Sequence, residues 1–269
     1  MTIRDKYTAL QEYLASLSSA AVAFSGGVDS TLLLKAAHDV LGDKALAVTL
    51  TSSLFPHREL EESRAFCAAN NITHIVCEVD ELSIDGFSNN PPNRCYLCKR
   101  SLFTKLLDIA AQHNIAHVVE GSNMDDLGDY RPGLQAIREL GIKSPLREAG
   151  LTKSEIRQLS RELGLPTWQK PSYACLASRF VYGDTITSEK LHMVERAEEL
   201  LLSLGFKQMR VRIHGRLARI EILPDDFTRI LDDHTRTLIY DSLKSYGFSY
   251  VSLDLKGYRT GSMNETLPA

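Results

Sequence analysis

The segment best suited to bind phosphate is Ser25–Ser30, which reads SGGVDS. It follows an apolar run, Ala20–Phe24, and precedes a helical pattern over Thr31–Leu41. Two glycines let the backbone turn sharply and come close to a ligand, and the N-terminus of the following helix offers unpaired N–H groups to an anion. No lysine follows the glycines, so the segment is not a Walker A loop, and it lacks the third glycine of the dinucleotide fingerprint. The sequence therefore predicts a phosphate site of another type.

Three of the five cysteines lie in segments predicted to be loops or the ends of loops. Cys95 and Cys98 form a C-x-x-C pair where a polar loop meets a helix, and Cys175 lies in a long loop further on. A zinc site of four cysteines would be one ligand short, but three soft thiolates suit either zinc or an iron–sulfur cluster. A 4Fe–4S cluster normally has four cysteine ligands, so with three of them one iron would stay open to carry a hydrosulfide. A zinc clip or a pair of inert thiols is the alternative.

Cys175 also has the surroundings of a reactive thiol. Lys170 and Arg179 flank it in the sequence, and nearby positive charge lowers the pKa of a thiol and favours the nucleophilic thiolate. By contrast, Cys67 falls in the middle of a predicted helix and Cys77 in the middle of a predicted strand, so we interpret both as structural thiols. The odd number of cysteines argues against a disulfide framework.

The first half of the chain alternates strand-like and helix-like segments. This order predicts an α/β fold with a doubly wound, mostly parallel sheet and helices on both faces. The predicted strands are Ala20–Phe24, Ala45–Leu50, Ile72–Val79 and His117–Glu120, and the predicted helices are Thr31–Leu41, Arg58–Ala69 and Leu97–His113. Ligands of such sheets bind beyond the carboxyl ends of the strands, so Ser25, Thr51 and Gly121 should lie on the same rim.

The second half predicts a smaller α+β domain that follows a long loop. Thr152 and Glu155 form a capping box that starts a helix ending near Gly164. Residues 164–184 then show no periodicity, and loops of this length are often functional. The predicted elements after it are a helix over Ser188–Leu204 and strands over Met209–Ile213, Leu217–Leu223 and Phe248–Leu255. The predicted domains are residues 1–170 and 187–269, joined by a cysteine-bearing loop over residues 171–186.

The phosphate segment resembles the PP-loop signature of the ATP-pyrophosphatase superfamily. Gly121-Ser122-Asn123, followed by Asp126 and by Asp129–Gly133, is similar to the second nucleotide segment of that superfamily. The resemblance implies a Rossmann-like fold, a loop that holds the pyrophosphate leaving group of ATP, and an aspartate, Asp29, that positions Mg²⁺. The implied ATP-binding residues are Ser25, Gly26, Gly27, Val28, Asp29, Ser30, Gly121, Asn123 and Arg131.

Over nearly the full length, the motifs taken together resemble the LarE family. Besides the two nucleotide segments, the resemblance rests on Cys175–Arg179, on Tyr182-Gly183 and on the strand Arg210-Val211-Arg212. LarE enzymes are ATP-dependent sulfur transferases that mature the nickel-pincer cofactor of lactate racemase. The resemblance implies a pyridinium-dicarboxylate mononucleotide as substrate, whose carboxylates are adenylylated and then converted to thiocarboxylates.

The same resemblance implies roles for individual residues. Asp29 and Cys175 would be catalytic. The implied substrate-binding residues are Ser178, Arg179, Arg210 and Arg212, because arginine suits planar, bidentate binding of anions. Some LarE proteins lack the C-x-x-C and give up the sulfur of the thiol that matches Cys175, which becomes dehydroalanine. This chain resembles instead the three-cysteine type, in which a 4Fe–4S cluster presents the sulfide, and the implied ligands are Cys95, Cys98 and Cys175; sulfur from Cys175 itself is the alternative.

Composition narrows the remaining alternatives. A net charge of −3 argues against a nucleic-acid partner, and hence against a tRNA thiolation enzyme of the same superfamily. An ammonia-using amide synthetase would leave three cysteines unexplained, and a zinc-stapled module without catalysis would release no pyrophosphate from ATP.

No apolar run reaches the length of a membrane span and the N-terminus does not read as a signal peptide, so we expect a cytoplasmic protein without a membrane partner. The resemblance further implies a homo-oligomer and contact with other enzymes of the same cofactor pathway.

Overall fold

The computed structural model describes residues 1–52, 57–128, 132–171, 175–259 and 261–266. The chain divides into two compact units, the first comprising Met1–Glu81 and Cys95–Tyr173, the second Leu82–Arg94 and Ala174–Ala269. The segment Leu82–Arg94 thus belongs with the C-terminal residues, which nothing in the sequence pattern indicates. In the described part of the chain, no helix combines the length and the apolar character that crossing a bilayer requires.

The first unit contains a parallel sheet with helices around it. In the described residues its strands are β1 (Ala20–Ala23), β2 (Ala45–Thr51), β3 (His74–Glu78) and β4 (His117–Val119), in the spatial order β3-β2-β1-β4. Its helices are α1 (Ile3–Leu17), α2 (Val28–Leu41), α3 (His57–Ala69), α4 (Arg94–Gln112), α5 (Gly133–Glu139), α6 (Pro145–Glu148) and α7 (Lys153–Glu162). Neighbouring strands are parallel, and Ala20 lies opposite both Ala45 of β2 and His117 of β4.

Two apolar cores cover the two faces of this sheet. Successive side chains of a strand point to opposite faces. Accordingly, Ala20 and Val22 of β1 pack with α1, α2 and α7, whereas Ala21 packs with α4 on the other face. All three side chains are fully buried, as expected of a central strand in a parallel sheet, which reads as an unbroken apolar run. The predicted doubly wound α/β fold is confirmed.

The predicted capping box at the start of α7 is also present. Thr152 and Glu155 exchange hydrogen bonds between side chain and backbone. Lys6 of α1 donates to both carboxylate oxygens of Glu155, at 2.7 and 2.8 Å, and so ties the start of α7 to α1. Because α7 begins at Lys153, these contacts fix the position of that lysine at the carboxyl edge of the sheet.

The second unit has the predicted α+β character. In the described residues β5 (Met209–His214) pairs antiparallel with β6 (Leu217–Ile222), and β6 pairs in parallel with β7 (Tyr250–Leu253). Its helices are α8 (Ser188–Ser203), α9 (Phe227–Ile230) and α10 (Asp233–Ser245). The hairpin turn consists of Gly215, with a φ of +61°, and Arg216. His214, which follows the predicted strand Met209–Ile213, is the last residue of β5.

Candidate functional site

The predicted phosphate segment connects β1 to α2 at the carboxyl edge of the parallel sheet. Gly26 has a φ of +68°, and a Cβ there would lie 2.5 Å from the hydroxyl oxygen of Ser63 in α3, so the position requires glycine. α2 begins at Val28 with Gly27 as its N-cap, and no side chain caps it. The first turn of α2 therefore presents backbone N–H groups in the way that phosphate binding requires.

Two serine hydroxyls close the phosphate loop. The backbone N–H of Ser25 donates to Ser30 Oγ at 3.3 Å, and Ser30 Oγ donates to the carbonyl oxygen of Gly27 at 3.2 Å. The two hydroxyl oxygens lie 3.1 Å apart. Ser30 is buried whereas Ser25 is exposed, so Ser30 holds the loop from its inner side and Ser25 presents a hydroxyl on the outer side.

Asp29 lies between a lysine and an asparagine that come from two other segments. Its Oδ2 accepts a hydrogen bond from Lys153 Nζ, and its Oδ1 accepts one from Asn123 Nδ2 at 3.1 Å. Gly121 allows this approach, because a Cβ at that position would lie only 3.2 Å from the Cβ of Asp29. The structure thus brings Asp29, Gly121 and Asn123 together as predicted, and it adds Lys153, which the sequence pattern does not single out.

Two aspartates after β4 organise these residues. The side chain of Asp126 accepts from the backbone N–H of Asn123 at 2.9 Å, and that of Asp125 accepts from the backbone N–H of Lys153 at 2.9 Å. The backbone N–H of Asp125 in turn donates to the side-chain oxygen of Asn123 at 2.9 Å. The acidic stretch therefore positions the two side chains that hold Asp29.

The second nucleotide segment, which starts at Gly121, ends at Gly133 beside α4, the helix that carries the C-x-x-C pair. Arg131, with Asp129 and Tyr130, lies outside the described residues. Gly133 begins α5 against the first turn of α4, where a Cβ would lie 2.7 Å from Cδ of Lys99 and 3.3 Å from the carbonyl oxygen of Cys95. Only a residue without a side chain fits so closely, which explains the glycine at the end of the motif.

Two hollows of the first unit flank the phosphate loop. The smaller, of about 160 Å³, lies at the ends of β1 and β2 and is lined mainly by apolar side chains, among them Ala23, Leu50 and Phe103. The larger, of about 790 Å³, is bordered by α2, α3 and residues 163–170 and reaches Gly26. An apolar hollow at the carboxyl ends of the strands, beside a phosphate loop, suits a flat heterocycle.

A hydrogen-bonded chain supports the residue that precedes the loop. Thr49 Oγ1 donates to the carbonyl oxygen of Phe24 at 2.7 Å and lies 2.8 Å from His74 Nε2. Because the hydroxyl proton points to Phe24, His74 Nε2 carries the proton of the second bond. Burial, and to a lesser degree the charge of Arg64, lowers the pKa of His74 below its ordinary value.

We expect His74 to make the first unit less stable in mild acid. Because the pKa of His74 is lowered in the folded protein, the unfolded chain takes up the proton first as the pH falls. The contribution of His74 to the free energy of unfolding is therefore fully present above the unfolded pKa of about 6.5, and it is lost as the pH falls toward the folded pKa. In His74→Gln, whose amide N–H can still donate to Thr49, the free energy of unfolding should vary less between about pH 7 and 5. Urea unfolding over this range measures the slope, with the exposed His192→Gln as the matched control. Equal slopes in wild type and His74→Gln would contradict the assignment.

The C-x-x-C pair lies inside a helix. Cys95 and Cys98 belong to the first turns of α4 and, three residues apart, share one face of it; Cys95 is exposed and Cys98 is half-buried. Cys67 of α3 is buried in the core, and burial raises the pKa of its thiol to about 12, which makes it inert. Cys77 in β3 is half-buried.

The described residues show no assembled metal centre. They contain no group of three or more His, Cys, Asp or Glu side chains placed to hold an ion. Of the three predicted cluster ligands, Cys95 and Cys98 belong to the first unit and Cys175 to the second, so neither unit alone holds all three. Cys95 and Cys98 lie three residues apart on α4, and their predicted role as cluster ligands stays a prediction. Mg²⁺ needs only one or two carboxylates together with substrate phosphates, and Asp29 fits that requirement.

In the second unit, a buried arginine anchors the turn that carries Cys175. Cys175 is exposed and directly precedes a 3₁₀ turn, Leu176–Arg179. Arg179 is 1% exposed and donates to both carboxylate oxygens of Glu198 in α8, each at 2.8 Å. Its third nitrogen donates to the Ser178 hydroxyl at 2.8 Å and to the carbonyl oxygen of Cys175 at 3.4 Å. Burial acts to lower the pKa of Arg179, but the charge and the hydrogen bonds of Glu198, together with the nearby Cys175 and Tyr258, raise it above its ordinary value.

Arg212 is held by a second buried carboxylate. It donates to Glu221 Oε2 at 3.0 and 3.1 Å, and Glu221 is fully buried. The same guanidinium donates to the Ser262 hydroxyl at 2.9 Å and to the carbonyl oxygen of Ser178 at 3.0 Å. Arg179 and Arg212 therefore fix Ser178 from both its side chain and its backbone.

Arg210 has a different environment from these two arginines. It donates to the carbonyl oxygen of Met209 at 2.6 Å, and its guanidinium lies over the ring of Tyr258, 5.2 Å from the centroid. Burial, followed by the positive charge of Arg179, lowers the pKa of Arg210. The carboxylate of Glu198 acts in the opposite direction, and the substrate contact implied for Arg210 stays a prediction.

Comparison with known proteins adds to this geometry. No protein-family model matches the chain. An uncharacterized protein of Synechocystis sp. is 43% identical over 265 residues, which cover 98% of this chain and 99% of that protein. A glutamine-hydrolyzing GMP synthase polypeptide of Archaeoglobus fulgidus is more distant, at 26% identity over 201 residues, 68% of this chain and 63% of that protein.

A third relative has an informative name. The pyridinium-3,5-bisthiocarboxylic acid mononucleotide synthase of Lactiplantibacillus plantarum is 42% identical over 271 residues, which cover 99% of this chain and 96% of that protein. Similarity of this extent over both full lengths, together with the PP-loop at the start of α2, shows that the chain belongs to the LarE family of PP-loop enzymes.

Proposed function

We propose that the protein is an ATP-dependent sulfur transferase that converts the carboxylates of a pyridinium-dicarboxylate mononucleotide to thiocarboxylates, for the nickel-pincer cofactor of lactate racemase. The observation that carries the proposal is the phosphate loop, where the uncapped start of α2 and Asp29 lie together with Lys153 and Asn123. Full-length similarity to a protein named for the bisthiocarboxylate product supports this choice of substrate.

In the first half-reaction the substrate carboxylate attacks the α-phosphorus of ATP, and pyrophosphate leaves. The N–H groups of the loop and the ammonium of Lys153 would neutralise the charge that develops on pyrophosphate. Mg²⁺ supplies further neutralisation when bound, and Asp29 is the residue that would hold it. The apolar hollow lined by Leu50 and Phe103 would take the adenine.

In the second half-reaction a sulfur nucleophile attacks the acyl carbon, and AMP leaves. We assign the handling of sulfur to Cys175, which is exposed at the turn that Arg179 anchors. If Cys175 gives its own sulfur, it forms a thioester with the substrate. Removal of the Cα proton then breaks the Cβ–S bond, which leaves a thiocarboxylate and dehydroalanine. The other source, implied first by the family resemblance, would be a sulfide carried by a 4Fe–4S cluster that Cys95, Cys98 and Cys175 would hold, and the softness of three thiolates supports it.

The arginines of the second unit divide the work of substrate binding. Arg210 and Ser178 are proposed to contact the substrate phosphate or its second carboxylate. Arg179 donates hydrogen bonds to Glu198 and to the Ser178 hydroxyl. Arg212 donates to Glu221 and to the Ser178 carbonyl oxygen. We therefore propose that both arginines position Ser178 and do not contact the substrate themselves. If a substrate anion displaced Glu198 or Glu221 from its arginine, that carboxylate would be left buried and unpaired, which costs free energy.

The proposal is tested with protein purified without oxygen and supplied with Mg·ATP and the pyridinium-3,5-dicarboxylate mononucleotide. We expect release of pyrophosphate and AMP and a mass-spectrometric signal of the thiocarboxylate. Formation of an amide when ammonia is added, without sulfur incorporation, would show an amide synthetase. Pyrophosphate release that depends on tRNA and not on the mononucleotide would show a tRNA-modifying enzyme.

Iron, acid-labile sulfide and zinc, measured per chain in the same preparation, separate the two sulfur sources. Iron with matching sulfide, lost in Cys95→Ala or Cys98→Ala, and repeated turnover would identify the cluster type. Absence of iron, at most one sulfur transferred per chain and loss of one H₂S from the mass of the chain would identify Cys175 as the donor. Zinc without iron would contradict sulfur transfer through the three thiols.

A further inference from the structure

Lys170 lies behind the phosphate loop, within the first unit, and only 11% of its side chain is exposed. Its Nζ donates to the carbonyl oxygen of Gly26 at 3.1 Å. It also lies 2.6 Å from a carboxylate oxygen of Glu59 and 2.5 Å from one of Glu62, both in α3. Two carboxylates thus neutralise the ammonium, so Lys170 does not act as a free charge that attracts phosphate.

The chain around Lys170 is itself fixed. Arg157 of α7 donates to the carbonyl oxygen of Trp168 at 2.7 Å and to that of Lys170 at 2.8 Å. Glu59, which holds the ammonium, is buried in α3. Lys170 therefore connects three parts of the unit at one point: the segment after α7, helix α3 and the phosphate loop.

The hydrogen bond to Gly26 sets the direction of the next backbone N–H. In a planar trans peptide the C=O of one residue and the N–H of the following residue point in opposite directions. Since the Gly26 carbonyl is turned towards Lys170, the N–H of Gly27 is turned away from it. A loop of two glycines has few steric limits of its own, so an external restraint is needed to keep this peptide in one orientation.

We propose that Lys170 is a positioning residue for pyrophosphate, which holds the Gly26 carbonyl so that the Gly27 N–H faces the phosphate-binding side of the loop. The inference rests on the proposed function, because it takes the loop to bind the pyrophosphate of ATP. Lys170 would act by orienting the N–H of Gly27, and it would not contact the pyrophosphate itself.

Isothermal titration of the full chain with inorganic pyrophosphate and Mg²⁺ tests the proposal. Lys170→Met should weaken binding about 10- to 100-fold, as expected when one oriented hydrogen bond to a charged group is lost. Lys170→Arg, which can still donate to Gly26 and to the carboxylates, should restore most of the affinity. Lys35→Met, which removes a lysine paired with Asp39 on the surface of α2, is the matched control and should bind as the wild type does.

Glu59→Gln separates positioning from a merely structural role. It breaks the same ion pair and should lower the melting temperature as Lys170→Met does, yet it leaves the bond from Lys170 to Gly26 and should keep the affinity close to wild type. If Lys170→Met does not fold, the double variant Lys170→Met/Glu59→Gln leaves no unpaired buried carboxylate at Glu59 and should show the same weakened binding. The fluorescence of Trp168, the single tryptophan of the chain, gives a second measure of binding close to Lys170.

The outcomes that overturn the proposal are specific. Wild-type affinity in Lys170→Met, or an equal loss in Glu59→Gln, would show that Lys170 does not orient the loop. A wild-type protein that binds no pyrophosphate at all would instead overturn the proposed ATP chemistry. The wild-type titration thus keeps the two failures apart.

Discussion

Replacing Cys175 by alanine is expected to abolish sulfur transfer while pyrophosphate release from ATP continues. Both sulfur sources proposed for the protein need this thiol, either as donor or as cluster ligand. The hydrogen bonds described for the phosphate loop all join residues of the first unit, whereas Cys175 belongs to the second. Loss of a reacting nucleophile typically lowers the rate by about 10³-fold or more, and we expect a loss of that order in thiocarboxylate formation.

The measurement is the ratio of pyrophosphate to thiocarboxylate formed in a single incubation with the mononucleotide. The ratio should rise steeply in Cys175→Ala, because the acyl-adenylate forms but meets no sulfur. Cys77→Ser removes a half-buried thiol elsewhere in the chain and is the matched control, with a ratio near that of the wild type. Undiminished thiolation by Cys175→Ala would remove this residue from the chemistry altogether.

The features that sequence could predict are those whose signals are local. The apolar run before two glycines and a helical pattern locates β1, the loop and α2, because backbone conformation there depends on residues that are adjacent in the chain. The capping box at Thr152 and Glu155 marks the start of α7 for the same reason. The order of strands and helices then suffices for the fold class, since parallel strands joined by helices leave few possible topologies.

The contacts that sequence could not predict join distant segments. Lys153 pairs with Asp29 across 124 positions and Lys170 bonds to Gly26 across 144, and neither lysine lies in a motif of its own. Their local signals are weak: Lys153 is the first residue of the helix that the capping box starts, and Lys170 lies in the long loop over residues 164–184. Charged residues are usually solvated at the surface, so these two are found only once the fold brings them to the loop.

The arginines show a second limit of the sequence. The family resemblance implies that Arg179 and Arg212 bind substrate, which stays a prediction, but it does not show that each arginine pairs with a buried glutamate. A signal for one of these partners does exist, because Glu198 falls on a face of α8 that otherwise buries apolar residues such as Val194 and Leu201. A carboxylate among buried apolar positions needs a cation, and that need could have identified its arginine.

Asp29→Asn should slow pyrophosphate release by about 10²- to 10³-fold, the usual effect of removing one electrostatic contact from a reacting group. Thiolation should fall with it, because no sulfur can be transferred before the adenylate exists. The amide keeps an oxygen that accepts from Asn123 but loses the charge that faces Lys153 and would hold Mg²⁺. Asp39→Asn, on the same helix and also paired with a lysine, is the matched control and should leave the rate unchanged.

Two roles of Asp29 can be separated by varying Mg²⁺ and by removing Lys153. If Asp29 holds the metal, Asp29→Asn should require more Mg²⁺ for half-maximal pyrophosphate release, whereas Lys153→Met should not. If Asp29 only balanced the charge of Lys153, the double variant would be no slower than Lys153→Met alone, because the charge to be balanced would already be gone. A further loss in the double variant, combined with a weaker response to Mg²⁺, therefore assigns the carboxylate to the metal and the lysine to the phosphates.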